Sequence, residues 1–164
     1  MLTIQKIEKA AKRLQGVAHK TPLQKSSTFS KMANCDVYLK YENLQKTGAF
    51  KIRGAYNKIS ELLEEKKPSE VVAASAGNHA QGVAWAATKL GINATIVMPK
   101  ATPIAKIKAT EDYGANVVLH GSAYDDAYNK ALEIQKEKNA EFFLKSWIIA
   151  AASKKICCGT KING

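Results

Sequence analysis

The chain has 164 residues, 46% hydrophobic and 24% charged, with 25 Lys and Arg against 14 Asp and Glu. That suits one soluble domain, or one domain with part of another, and no apolar run approaches the ~20 residues of a membrane helix, the longest being Trp147 to Ala152. The net charge of +11 does not read as a nucleic-acid surface, because only Arg13 and Arg53 are arginine and the lysines spread as solvated helix faces would.

Ile4, Ile7, Ala11 and Leu14 predict an amphipathic helix ending at Gly16. Gln5, Lys6, Glu8 and Lys9 interrupt any secretory apolar core there, so a cytoplasmic protein is expected. Thr21-Pro22-Leu23 is extended, since proline bars the residue before it from helix. Val37 to Tyr41 alternates like a strand, the opening piece of a sheet whose other strands come later. Ala55, Ile59, Leu62 and Leu63 predict a helix ended by Pro68.

From residue 71 a regular beat begins. Val71–Ala74, Ala94–Met98, Asn116–Leu119 and Glu141–Leu144 are short apolar runs that start 23, 22 and 25 residues apart. Helical spacing fills the gaps. Ala80, Val83, Ala84, Ala87 and Leu90 form the first helix, closed by Gly91. Thr102 caps the second, with Pro103 in its first position and Ile104 and Ile107 on one face up to Gly114. Ser122-x-x-Asp125 reads as an acidic capping box for the third, with Tyr124, Tyr128, Ala131 and Leu132 on one side. Strand–helix–strand at this period predicts right-handed crossovers and an α/β fold, a four-stranded parallel sheet from about Val71 to Leu144 with helices on both faces. Residues 1–70 are expected to pack beside it as an incomplete second layer. Cys35, Cys157 and Cys158 lack metal-ligand spacing, so reduced thiols and no metal site are expected.

Two runs carry chemistry. Ser75-Ala76-Gly77-Asn78-His79-Ala80-Gln81-Gly82 spans the end of an apolar strand and the start of an Ala-rich helix. In open α/β sheets ligands bind at that edge, and helix-start N–H groups with the dipole behind them favour a carboxylate or phosphate. Gly77 lets a ligand approach the backbone, while Ser75, Asn78 and His79 can add side-chain hydrogen bonds. Upstream lies Thr47-Gly48-Ala49-Phe50-Lys51-Ile52-Arg53-Gly54-Ala55. Phe50 offers a wall for an aromatic ring, and Gly48, Ala49 and Gly54 leave room for one. An apolar, partly desolvated setting would help Lys51 to act as a nucleophilic amine.

Together these runs resemble the serine/threonine dehydratases, the tryptophan-synthase-β-like class of pyridoxal-phosphate enzymes, and within it the single-domain, catabolic-type threonine dehydratases. The resemblance runs from about Ile4 to Phe143 and includes Lys20-Thr21-Pro22-Leu23 and Leu39-Lys40-Tyr41-Glu42-Asn43-Leu44-Gln45. It implies pyridoxal 5'-phosphate as cofactor, bonded by Lys51, with Phe50 packing near its ring and Asn78 hydrogen-bonding its phenolic oxygen. Ser75, Gly77, Asn78 and His79 would receive the substrate carboxylate. A small-molecule amino acid, L-threonine or L-serine, would be turned into 2-oxobutanoate or pyruvate and ammonia. Amino-acid metabolism including isoleucine biosynthesis, and a homo-oligomer in the intact enzyme, come with the family. Residues 1–70 would open the large cofactor domain and residues 71–144 would form the small domain. Ala76 stands where serine racemases of the family carry a serine as second proton donor, so elimination is favoured over racemisation.

After Phe143 the resemblance breaks, leaving residues 145–164 as a divergent tail. The family's glycine-rich phosphate loop, and its serine or cysteine facing the pyridine nitrogen, are not in the sequence. The expectation is a truncated, inactive fragment of such an enzyme. A racemase or β-replacing synthase of the same fold, and a non-catalytic βαβ module, stand as alternatives.

Overall fold

A computed structural model describes residues 3–143. Leu144, the tail at 145–164, Cys157 and Cys158 lie outside the described residues.

The strands from residue 70 onward form as their apolar runs require. β3 (Glu70–Ala74), β4 (Asn93–Met98), β5 (Asn116–Leu119) and β6 (Glu141–Phe142) pair in parallel, in the order β5-β4-β3-β6. Because successive side chains point to opposite faces, β3 feeds two cores at once. Val71 and Ala73 join Ala94, Ile96 and Met98 beneath α4 (Asn78–Lys89), while Val72 and Ala74 join Val97 beneath α6 (Tyr124–Lys138). Both faces are covered, which is why the strands read as continuous apolar runs. The parallel sheet with helices on both faces agrees with the sequence expectation.

Two helix starts differ from expectation by one residue. α5 (Ile104–Asp112) is preceded by Pro103 in extended conformation, ψ 135, so proline is the cap and not the first helical residue. Thr102 does not cap it: its hydroxyl is buried and has no hydrogen-bond partner among the described residues. Ile104 is 81% exposed, whereas Ile107 packs against the core. At α6 only the acidic half of the expected box forms, one residue later than Ser122–Asp125, because the cap is Ala123, which has no side-chain acceptor. The carboxylate of Asp126 accepts the N–H groups of Ser122 and Ala123 at 2.8 and 3.0 Å. The Ala123 and Ser122 N–H bonds hold that carboxyl below the usual range, despite slight desolvation.

The earlier residues are less regular. Thr3 caps α1 (Ile4–Leu14), and Gly16 follows in a left-handed turn at φ 72. Only Ala10 of α1 is buried, and Ile4, expected on the inner face, is 70% exposed. β1 (Leu23–Lys25) and β2 (Tyr38–Lys40) pair antiparallel with each other, so the strand expected to open a later sheet finds its partner upstream. Between them runs α2 (Ser27–Ala33), which the sequence pattern did not show, and a 3-10 turn follows at Glu42–Leu44. α3 (Lys51–Glu65) packs directly on α4 and contributes Ala55, Ile59 and Leu62 to the sheet's core.

Candidate active site

The chain moves from β3 outward to β4 and β5, then returns through α6 to place β6 on the other side of β3. Strand order therefore reverses between β3 and β6, and in open α/β sheets the crevice at the carboxyl ends of such a pair is where ligands bind. Ser75 leaves β3 at that edge, buried, with its N–H donated to the Val97 carbonyl at 3.1 Å. Gly77 caps α4 and has no side chain with which to bond the first-turn N–H groups. A Cβ added at Gly77 would meet nothing within 4 Å, so the space beside the turn is open to an incoming group. Asn78, the first residue of α4, is exposed there. His79 is 8% exposed, and its ring stacks on Phe143, which follows β6, with centroids 5.7 Å apart. The 75–79 run thus lies across the ends of β3 and β6.

Lys51 is the first residue of α3, with Phe50 as the preceding cap. Its ammonium lies over the Phe50 ring, 4.9 Å from the centroid, so amine and aromatic face are already adjacent. The approach to Phe50 is tightly turned. Gly48 adopts φ 66, where glycine alone pays no steric penalty, and donates its N–H to the Gln45 carbonyl at 2.7 Å.

The two runs touch at Gly82, in the interior of α4. A Cβ there would lie 3.1 Å from both the carbonyl carbon and the Cβ of Lys51, and 3.3 Å from the Ile52 nitrogen. Glycine in a helix interior costs about 1 kcal/mol relative to alanine. In a helix otherwise built on Ala80, Ala84, Ala86 and Ala87, close approach to α3 is the compensating gain.

Behind Lys51 lies a polar network that the sequence motifs contain without revealing. Arg53 donates from Nε to Glu42 Oε2 and from Nη2 to Glu42 Oε1, both at 2.9 Å, and from Nη2 to the His19 carbonyl at 3.0 Å. Thr21 Oγ1 donates to Glu42 at 2.6 Å, and Lys40 Nζ to the Thr21 carbonyl at 2.6 Å. Buried Gln45 accepts the His19 N–H at 2.9 Å and donates to the His19 carbonyl at 3.0 Å. Burial pushes the Glu42 carboxyl up, but the Arg53 and Thr21 hydrogen bonds and the Arg53 and Lys40 charges outweigh it, so it sits below the usual carboxylate range. The only signal for this network was charge matching between Glu42 and Arg53, eleven residues apart and thus beyond any local spacing rule.

These features fit pyridoxal phosphate: an amine beside an aromatic face, an uncapped helix start for an anion, and open space above Gly77. The family described as pyridoxal-phosphate dependent enzyme matches residues 14–157, running past Phe143, where the sequence reading sets its break. The chain is 54% identical over 142 residues to an L-threonine ammonia-lyase of Thermotoga maritima, covering 87% of this chain and 35% of that protein. It is 48% identical over 133 residues to a catabolic L-threonine dehydratase of Escherichia coli K12, covering 81% and 40%. Among solved structures, a maize serine racemase superposes with TM-score 0.84 at 32% identity, covering 94% of this chain and 47% of that one. Threonine deaminase isoform 2 of Solanum lycopersicum superposes with TM-score 0.78 at 38% identity, covering 85% and 39%. The chain thus spans 35–40% of the length of these two curated relatives. With that span of match and that site, the chain belongs to the pyridoxal-phosphate dependent enzyme family.

Proposed function

We propose that this chain supplies the lysine-bearing and carboxylate-binding part of a pyridoxal-phosphate dependent dehydratase of L-threonine, and of L-serine, giving 2-oxobutanoate or pyruvate and ammonia. The observation that carries the reading is the meeting of Lys51 with the 75–82 run at Gly82, inside α4. The activities named for the relatives at about half identity support the substrate.

Lys51 would hold the cofactor, Phe50 would flank its ring and Asn78 would hydrogen-bond its phenolic oxygen. The N–H groups at the start of α4, with Ser75, Gly77, Asn78 and His79 around them, would receive the substrate carboxylate, where the helix dipole favours negative charge. Bound there, pyridoxal phosphate supplies an electron sink for the charge left when a substrate loses its α-proton. The chain's own contribution is to move that proton and to hold the substrate still. Lys51 Nζ, once the substrate's amine has taken its place on the cofactor, would take the proton as general base. Fixing the carboxylate on α4 removes rotational freedom from the substrate before reaction. The burial of Ser75 and His79 keeps water from the base of the turn. Ala76 presents a methyl group, which can neither give nor take a proton, so position 76 cannot serve as the second proton donor of a racemase, and elimination is favoured over racemisation.

The sequence holds no glycine-rich loop for a cofactor phosphate. Turnover is therefore expected of an intact protein carrying this sequence, as a homo-oligomer, and not of these residues alone. In that protein Lys51→Ala is expected to cut threonine-dependent 2-oxobutanoate formation by about a thousandfold or more, together with loss of the absorbance of lysine-bound cofactor. Turnover within tenfold of the parent would remove Lys51 from the mechanism.

A further inference from the structure

Because Lys51 is the first residue of α3, its side chain goes where the first turn of that helix goes. Two contacts made by other parts of the chain fix that turn. Arg53, two residues along, is held by both oxygens of Glu42, which is itself tied to Thr21. The side chains of Arg53 and Glu42 are only 14% and 17% exposed, so the pair is largely sheltered from solvent. On α4, the position of Gly82 faces the backbone and Cβ of Lys51 so closely that a methyl group would fit only if they shifted by a few tenths of an ångström. Those atoms are the root of the lysine and the main chain beside it. Unlike the tip of a flexible side chain, they cannot swing aside.

Gly82 also sits on the helix whose first residue is Asn78. Gly82 lies four positions further along, a rise of about 6 Å. The Gly82 contact therefore sets how far the root of Lys51 lies from the α4 start, while the Glu42–Arg53 pair prevents the first turn of α3 from giving way.

We propose that Gly82, with the Glu42–Arg53 pair, is a positioning element that sets the placement of the Lys51 amine relative to the anion-favouring turn at Asn78. The proposal rests on the reading of Lys51 as the cofactor-bearing lysine. A methyl group at Gly82 displaces the first turn of α3 by a few tenths of an ångström. It suits α4 itself, since alanine is the better helix former. Stability and lysine placement are thereby separated, which a purely structural glycine would not allow.

The test uses the intact protein incubated with pyridoxal 5'-phosphate, reduced with borohydride and mapped by peptide mass spectrometry. The readout is pyridoxyl label on Lys51 relative to the other lysines. In the parent protein Lys51 is labelled preferentially; uniform labelling there would overturn the cofactor reading and this proposal with it. Given that preference, Gly82→Ala is expected to reduce it at least fivefold while far-UV circular dichroism is unchanged. Arg53→Met, which removes the guanidinium without touching the α3–α4 contact, is expected to act in the same direction. Should Gly82→Ala lose its helical spectrum, Arg53→Met decides. A folded Gly82→Ala or Arg53→Met protein that labels Lys51 within twofold of the parent, where the parent shows preference, overturns the proposal.

Discussion

Between Glu70 and Phe143 the chain holds itself together with apolar side chains: Val71, Val72, Val83, Ile96, Val97 and Met98 have no exposed surface at all. Between His19 and Arg53 it uses hydrogen bonds instead, converging on Glu42 and Gln45, while Leu23, Phe29, Met32 and Tyr38 stay exposed. The first mode is non-directional and scales with area; the second depends on geometry and ionisation. The lysine and the anion-favouring turn come one from each region. Lys51 enters α3 straight from the polar segment, and Ser75 to His79 leave the apolar sheet. A site built this way has one wall that yields to volume changes and one that yields to charge changes.

The largest effect is expected from the apolar wall. Ile96 is fully buried at the centre of β4, so Ile96→Ala removes packed methylenes and leaves a cavity, a loss of about 2–5 kcal/mol. Urea unfolding followed by circular dichroism measures it. A loss below about 1 kcal/mol would mean that the sheet is less tightly packed than its burial implies.

The polar wall should respond to pH. Glu42 titrates below the ordinary carboxylate range in the fold, so its contribution is complete above the unfolded-chain value of about 4.3 and disappears as pH falls through the lower, folded value. Glu42→Gln mimics the protonated side chain. At neutral pH the variant is expected to be less stable than the parent by roughly 1–3 kcal/mol, and the gap should close as acid protonates the parent. Glu70 is held low too: burial raises its carboxyl, but Thr95 and Lys138 outweigh it. The informative quantity is therefore the difference between parent and variant, which cancels Glu70. A gap that stays constant from neutral pH to pH ~3 would show that Glu42 ionisation does not hold this wall.

The same contrast decides what could be read in advance. Parallel strands covered on both faces must be apolar throughout, so the beat from Val71 to Phe142 showed the sheet, its order of elements and the strand end that carries Ser75. The polar segment gave a weaker signal. α2 has seven residues, none of them buried, and ends at Asn34 in a left-handed turn at φ 50, so no apolar stripe marks it. β1 has three residues, too few for alternation to show, and although Val37 to Tyr41 marked β2, nothing local marked β1 as its antiparallel partner. The periodicity of α3 is apparent only from Ala55, and its first turn is set by tertiary contacts to Glu42 and Gly82. Lys51 and the 75–82 run were legible as motifs because their chemistry is local. Their junction was not, because a glycine's lack of a side chain says nothing about which helix will lie against it.

The smallest effect belongs to the seam between the walls. Ala76 follows Ser75 at the exit from β3, half-buried and packed against the core beneath α4. Ala76→Ser adds one oxygen at a position with solvent beside it, so stability should stay within about 0.5 kcal/mol of the parent. Its effect on chemistry is expected to be qualitative. If Lys51 serves one face of the substrate and Ala76 leaves the other without a proton donor, the intact parent protein forms no D-serine from L-serine above a cofactor-only control. The variant, now with a hydroxyl at position 76, should form a small amount while keto-acid formation stays dominant. Chiral chromatography after incubation in deuterated water separates the outcomes, because inverted serine carries deuterium at the α-carbon. D-serine released by the parent at a rate comparable to pyruvate would show that protonation on the second face comes from a group other than residue 76, and would reverse the preference for elimination argued from that methyl group.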